Sequence, residues 1–275
     1  MRYPFRRRRF AQHFLHDPRI IARIVDAVAA DPAIRVIEIG PGRGALTVPL
    51  LRKLGRLDAV EIDADLAARL PETCAEAGEL RVHRGDALRF DLSALGDGPF
   101  RLVGNLPYNV STPLLFHLLE QADRILDMLF MLQKEVVDRL AAGPGSRDYG
   151  RLTVMVQARC RVDRLFTVGA AAFQPPPRVD SAVLRLTPIP GYGTRVRNHR
   201  LFADVVRHAF HQRRKMLRNS VYELLPGGER DLQEAGLAGT LRAEDVSVLQ
   251  YIEFANYLAE CRTAKVVSQA VDGNR

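Results

Sequence analysis

The chain has 275 residues, 47% of them hydrophobic and 26% charged, enough to bury a sizeable core and too apolar for a disordered polymer. It has no apolar run near the ~18 residues of a membrane span and no apolar signal region at its start, so a cytoplasmic protein without membrane attachment is expected. The net charge of +8 is concentrated: residues 1–10 carry five Arg and no acid, residues 195–218 carry eight Arg or Lys against Asp204 alone, and the remaining chain sums to −4.

Asp17-Pro18 predicts an N-cap and a first-turn proline opening a helix over Arg19–Ala29. From Ala33 onward, short apolar runs alternate with helical stretches. Strands are expected at Arg35–Ile39, Leu57–Ile62, Leu80–Arg84, Phe100–Gly104 and Asp127–Leu132. Helices are expected between and after them, at Ala45–Lys53, Ala64–Leu70, Pro113–Gln121 and Glu135–Ala141. This alternation predicts an α/β domain whose parallel sheet is covered by helices on both faces. Two later strands, near Arg161–Val168 and Ser181–Leu186, flank the rigid Pro175-Pro176-Pro177 and are expected to add an antiparallel, hairpin-like edge.

The run Pro188-Ile189-Pro190-Gly191-Tyr192-Gly193 reads as a domain boundary. Beyond it only Leu201–Phe210, Met216–Leu224 and Ser247–Cys261 are periodic, with a helical period. The expected layout is a basic arm at 1–16, a Rossmann-like domain at 17–188, a small all-helical domain at 195–265 and a frayed tail at 266–275. A mildly acidic body with two basic patches suits a polyanionic partner, because each phosphate neutralised releases counterions. Arg213, Arg214, Lys215 and Arg218 are the candidate phosphate contacts, although a solvated charged face would have the same composition. Cys74, Cys160 and Cys261 are too far apart for a disulfide framework, and the pairs His13/His16 and His208/His211 have no Cys or acidic cluster beside them; no metal site is expected.

The first strand runs into Glu38-Ile39-Gly40-Pro41-Gly42-Arg43-Gly44 and then a helix. Glycines here permit a tight turn and a close ligand approach above the strand ends. Glu61, closing the second strand, is placed to accept hydrogen bonds from both hydroxyls of a ribose, which together with the turn indicates a nucleoside-containing cofactor. A dinucleotide site uses G-x-G-x-x-G against a pyrophosphate; here the spacing is G-x-G-x-G, and Glu38 stands before it. A carboxylate there repels pyrophosphate and suits an ammonium group, which favours S-adenosylmethionine over a nicotinamide dinucleotide. Asp86, after the third strand, is a candidate acceptor for an adenine amine or a plain helix N-cap.

The most specific string is Asn105-Leu106-Pro107-Tyr108, at the end of the fourth strand. The lone pair of an exocyclic aromatic amine is delocalised into its ring, so alkylating it requires both amine hydrogens to be held while the lone pair faces the methyl donor. The Asn105 side-chain oxygen and the following backbone carbonyl supply two acceptors, Pro107 fixes the turn, and the Tyr108 ring offers a stacking face.

These residues, with Gln12-His13-Phe14-Leu15, Phe130-Met131-Leu132-Gln133-Lys134-Glu135, Tyr149-Gly150-Arg151, Phe173 to Val183 and Gln212-Arg213-Arg214-Lys215, resemble the ribosomal RNA adenine dimethyltransferase family, and within it the bacterial small-subunit branch. The resemblance implies a Rossmann-like methyltransferase acting on the N6 amines of two adjacent adenosines near the 3′ end of 16S rRNA, in an assembling small subunit and as a monomer. It implies S-adenosylmethionine contacts from Gly40, Gly42, Glu61, Asp86 and Asn105, with His13 and Leu15 of the N-terminal arm closing over the cofactor. The family usually has Asn where this chain has His13. The resemblance also places Phe173 as an aromatic bracing the flipped adenine opposite Tyr108. The competing readings are a large-subunit rRNA methyltransferase of the antibiotic-resistance type, an assembly factor whose binding matters more than its chemistry, and a nicotinamide oxidoreductase.

Overall fold

In the computed structural model, which describes residues 13–272 and side chains as far as Thr263, a two-residue strand β1 (Phe14–Leu15) precedes helix α1 (Pro18–Ala27). The Arg-rich residues of the expected basic arm lie outside the described residues. Asp17 is extended, and its carboxylate accepts from the Arg19 and Ile20 amides, while Pro18 has no amide to leave unsatisfied. At the other end of α1, Lys53 Nζ donates to the Val25 and Val28 carbonyls at 2.7 Å each, filling acceptors that a helix terminus leaves open.

The alternating pattern builds β2 (Arg35–Ile39), α2 (Thr47–Leu54), β3 (Arg56–Glu61), α3 (Ala64–Thr73), β4 (Glu79–Arg84), β5 (Phe100–Asn105), α4 (Ser111–Glu120), β6 (Ile125–Gln133) and α5 (Lys134–Leu140). Helix α6 (Arg151–Gln157) follows, then β7 (Cys160–Val168), β8 (Phe173–Gln174) and β9 (Ser181–Pro188). Seven strands form one sheet in the order β4-β3-β2-β5-β6-β9-β7. Strands β2 to β6 are parallel, and β9 pairs antiparallel with β6. The expected edge is built with β7 outermost, while β9 is interior.

The chain leaves β2 towards β3 and returns on the other side as β5, so the strand order reverses between β2 and β5. In an open parallel sheet such a reversal opens a crevice at the carboxyl ends of the strands. The strands around it are apolar on both faces, as helices on both sides require. Several embedded polar groups are paired: Arg35 with Asp58 at 2.7 Å, His83 Nε2 with the other Asp58 oxygen at 2.6 Å, and Arg101 with Asp127 at 2.8 Å.

The chain divides into two compact units, but not at one cut. The sheet unit takes residues up to Val137 and Arg161–Pro188; the helical unit takes Asp138–Cys160 together with Ile189 onward. The spans 17–188 and 195–265 are therefore corrected, because Asp138–Cys160 is bound into the helical core. Tyr149 is fully buried there, its hydroxyl donates to the Val246 carbonyl at 2.9 Å, and the Gly145 amide donates to the Glu244 carbonyl at 2.7 Å. The rest of this unit is α7 (Tyr192–Arg195), α8 (His199–His211), α9 (Leu217–Ser220), α10 (Glu229–Glu234) and α11 (Val248–Asp272). The single helix expected over Met216–Leu224 breaks after Ser220 into α9 and a short 3-10 turn, Tyr222–Leu224. The tail expected to fray is helical as far as Asp272. Among the described residues no helix is long and apolar enough to cross a membrane.

Candidate active site

Four strand ends supply the crevice. The loop after β2 turns on Gly40 and Gly42, with φ of +68° and +59°, where any side chain would be strained. A Cβ on Gly42 would also stand 3.3 Å from the Phe14 ring, so the turn is shaped to receive strand β1. Arg43 holds its guanidinium 4.2 Å from the centre of that ring. Ladder hydrogen bonds extend past the strands: Gly40 N to Val60 O and Gly85 N to Glu61 O at 2.9 Å, and Leu106 N to Met131 O at 3.1 Å. Each loop carrying a site residue is thereby tied to the sheet.

Two buried carboxylates face the cavity from β2 and β3. Glu61 accepts from the Gly42 amide at 3.0 Å on one oxygen and from the Asp63 amide at 2.9 Å on the other. A carboxylate offers about four lone-pair sites, so roughly two remain for a ligand. Burial raises its pKa, and the backbone donors oppose the rise. Glu38 is only 2% exposed, lines the cavity, and its Oε2 has no hydrogen-bond partner among the described residues. Burial pushes its carboxyl up to about 8, opposed by the Thr47 hydroxyl and reinforced by the Glu61 charge. A buried acid with one unpartnered oxygen on a cavity wall fits a cationic ligand group. Asp86 lines the same cavity, and its Oδ1 accepts from the Leu88 amide at 3.0 Å. No helix follows it, so the N-cap alternative does not apply.

Asn105 ends β5. Its side-chain amide lies 3.2 Å from the His13 carbonyl. A carbonyl can only accept, so the atom facing it is Nδ2, and Oδ1 is the acceptor left for a ligand. Gly104 makes this placement possible: a Cβ there would stand 2.5 Å from the Ile39 carbonyl oxygen. Leu106 is buried, and with Pro107 and Tyr108 it continues the cavity wall. The Tyr108 hydroxyl is 2.8 Å from Ser181 Oγ, and burial raises its pKa. The His13 ring stacks on the Tyr108 ring at 5.8 Å between centroids and 29° between planes. His13 Nδ1 donates to the Pro175 carbonyl at 2.8 Å.

The structure therefore brings His13, Leu15, Gly40, Gly42, Glu61, Asp86, Asn105, Leu106, Pro107 and Tyr108 to one cavity. Phe173 is not among its walls. Its ring is 1% exposed and belongs to the hydrophobic core, with Phe173 paired to Leu15 in the β1–β8 ladder. The ring that faces Tyr108 is that of His13. Phe14, Arg43 and Ser181 contribute without having been singled out by sequence, since their partners lie far along the chain.

The basic quartet lies in the helical unit, in the connection from α8 to α9 and in α9 itself. Arg213 is not a free cation: its Nε donates to Glu244 at 2.5 Å and its Nη2 to the Ser146 and Arg147 carbonyls at 3.2 and 2.6 Å. Arg218 pairs with Glu229 at 3.2 Å. Arg214 and Lys215 are exposed. Of the four candidate phosphate contacts, two are exposed cations and two have carboxylate partners.

The chain is similar to "Ribosomal RNA small subunit methyltransferase A" of Pseudomonas fluorescens Pf-5, 51% identical over 92% of this chain and 94% of that one. The protein of the same name from Aromatoleum aromaticum is likewise 51% identical, with the same coverage of each chain. Among solved structures, a dimethyladenosine transferase from Plasmodium falciparum superposes with a TM-score of 0.77 at 25% identity, covering 88% of this chain and 96% of that chain. The 23S rRNA methyltransferase ErmE superposes with 0.69 at 26% identity, covering 90% and 99%. The family model for ribosomal RNA adenine dimethylase matches residues 5–260, and the chain belongs to that family.

Proposed function

We propose that the protein dimethylates the N6 amines of two adjacent adenosines near the 3′ end of 16S rRNA, with S-adenosylmethionine as methyl donor. The observation that carries this reading is the Asn105 amide, whose nitrogen is engaged by the His13 carbonyl so that Oδ1 is left as an acceptor. S-adenosylmethionine, when bound, supplies a methyl group made electrophilic by a sulfonium. Glu38 would hold its ammonium, Glu61 its ribose hydroxyls and Asp86 its adenine amine, a set that fits the orphaned buried acid and the unused lone pairs described above.

The chain's own part in the chemistry is geometric. Asn105 Oδ1 and the Leu106 carbonyl accept the two N6 hydrogens of the target, which turns the nitrogen lone pair away from the base plane. Tyr108, fixed by Ser181, offers a stacking face to the unstacked base, offsetting the few kcal/mol that flipping costs. Once alkylated, the amine is acidic enough to lose its proton to water, so no side-chain base is needed.

The flipped base must be accessible, which favours a small subunit still assembling, acted on in the cytoplasm by a single copy of the chain. The large-subunit reading is not favoured: relatives at 51% identity are named for the small subunit, whereas ErmE stands at 26%. The test is incubation of unmethylated small subunits, beside unmethylated large subunits, with methyl-labelled cofactor, followed by mapping of modified nucleotides. Label on adjacent 3′-terminal adenosines is expected; label confined to large-subunit rRNA, or none, would overturn the proposal.

A further inference from the structure

We propose that His13 is a positioning residue for base recognition, setting the Asn105 amide and the Tyr108 ring rather than serving chiefly as a cofactor contact. This deepens the reading above and rests on it. Three observations converge on one residue. The His13 backbone carbonyl receives Asn105 Nδ2 at 3.2 Å, and without it the amide is free to turn its nitrogen towards the target amine, where a donor would meet a donor. The His13 ring lies against the Tyr108 ring at 5.8 Å and 29°, backing the aromatic face offered to the base. His13 Nδ1 is anchored to the Pro175 carbonyl at 2.8 Å, which also requires the ring to carry its hydrogen on Nδ1.

The anchor matters because β1 is only two residues long, paired with β8 through Phe14–Gln174 and Leu15–Phe173. A ladder that short does not hold its neighbour in register alone. Beyond the two ladder pairs, the His16 amide donates to the Ala172 carbonyl at 2.9 Å. The bond from His13 to Pro175 is a side-chain tie at the end of the ladder where the carbonyl used by Asn105 lies, and it places that carbonyl. Placement of β1 and presentation of the Asn105 oxygen are thus coupled. The ring further distinguishes this chain from its family's usual Asn: Asn can keep a donor to the Pro175 carbonyl, but it cannot stack on Tyr108.

The experiment compares His13→Ala, His13→Asn and His13→Phe in the full-length protein. Calorimetry with S-adenosylmethionine, steady-state methylation of unmethylated small subunits and the NMR signals of the Asn105 side-chain amide are the readouts. His13→Ala is expected to bind cofactor within about threefold of the parent, while kcat falls about tenfold or more, the scale of a slightly misplaced reacting group. Its Asn105 amide protons should lose their hydrogen-bonded shift. His13→Asn should keep that shift and recover part of kcat through the Pro175 tie alone, and His13→Phe should recover a different part through the stack. The proposal is overturned if His13→Ala keeps kcat within twofold, if its only defect is weaker cofactor binding, or if the Asn105 amide signals do not move. The amide signals are measured on the protein alone, so they remain decisive even if the parent fails to methylate small subunits.

Discussion

Replacing Arg214 and Lys215 together by Ser tests whether the helical unit grips phosphate, and Arg213→Ala supplies the contrast. The two exposed side chains remove up to two phosphate contacts, each worth about 0.7–0.9 in the slope of log affinity against log salt. The double variant should therefore flatten that plot by roughly 1.4–1.8 units, with melting temperature and cofactor affinity unchanged. Arg213 is expected to behave oppositely. Its guanidinium side chain is 39% exposed and its partner Glu244 27%, so the pair is worth less than a buried one, and Arg213 also serves two carbonyls. Its loss should cost about 1–2 kcal/mol, which for a chain of this size lowers the melting temperature by roughly 2–8 °C. The assay is binding to unmethylated small subunits over a series of salt concentrations, beside thermal unfolding. A flattened slope with no loss of stability for Arg213→Ala would refute the division of labour. An unchanged slope for the double variant would move the RNA surface elsewhere, with the Arg-rich residues 2–9 the next place to look.

Asn105→Ala should lower kcat at least about a hundredfold, the scale of losing one preorganised hydrogen-bonding group at a reacting centre, while cofactor binding measured by calorimetry stays within a few-fold. Glu61→Ala should weaken cofactor binding by about 1–3 kcal/mol and also lower the melting temperature, because the Gly42 and Asp63 amides lose their acceptor; unchanged affinity would mean the ribose is held elsewhere. For Glu38 the sign is fixed by burial: with its carboxyl raised to about 8 in the free protein, it is protonated at neutral pH, and a cationic ligand group must displace that proton. Cofactor affinity should accordingly rise by up to about tenfold per pH unit towards pH 8 and then level off, with proton release seen as a buffer-dependent binding enthalpy. The same raised pKa means that the folded state loses stability as pH climbs from about 4.5 to about 8, so Glu38→Gln should raise the melting temperature most above pH 8. A pH-independent affinity, or a Glu38→Gln variant that is less stable there, would show that the carboxylate is ionised in the free protein.

The sheet unit was legible because its signals are local. Apolar runs separated by helical stretches define β2 to β6 to within two residues at either end, and Asp17-Pro18 marks α1 by capping chemistry alone. Gly40, Glu61, Asp86 and Asn105 were legible for the same reason, since each ends or closely follows a strand, and strand ends are where such a sheet places ligands. The helical unit was less legible. Asp138–Cys160 sits between two strands in sequence, and only long-range ties, Tyr149 to Val246 and Arg213 to Ser146 and Arg147, assign it to the later helices. The ion pairs within the basic quartet were not legible for a related reason: composition counts a guanidinium as available charge whether or not a distant carboxylate already holds it.

Phe173 shows how a single register decides a role. Successive residues of a strand face opposite ways, and in β8 the outward place falls to Gln174 while Phe173 turns into the core against Leu15 and Val183. A slip of β8 by one residue would carry Gln174 into an apolar core and break both pairings with β1. The bond between His13 and Pro175 resists the same slip. The ring packed on Tyr108 is instead the imidazole of His13, and its stacking there ties the N-terminal segment to the base site as well as to the cofactor site.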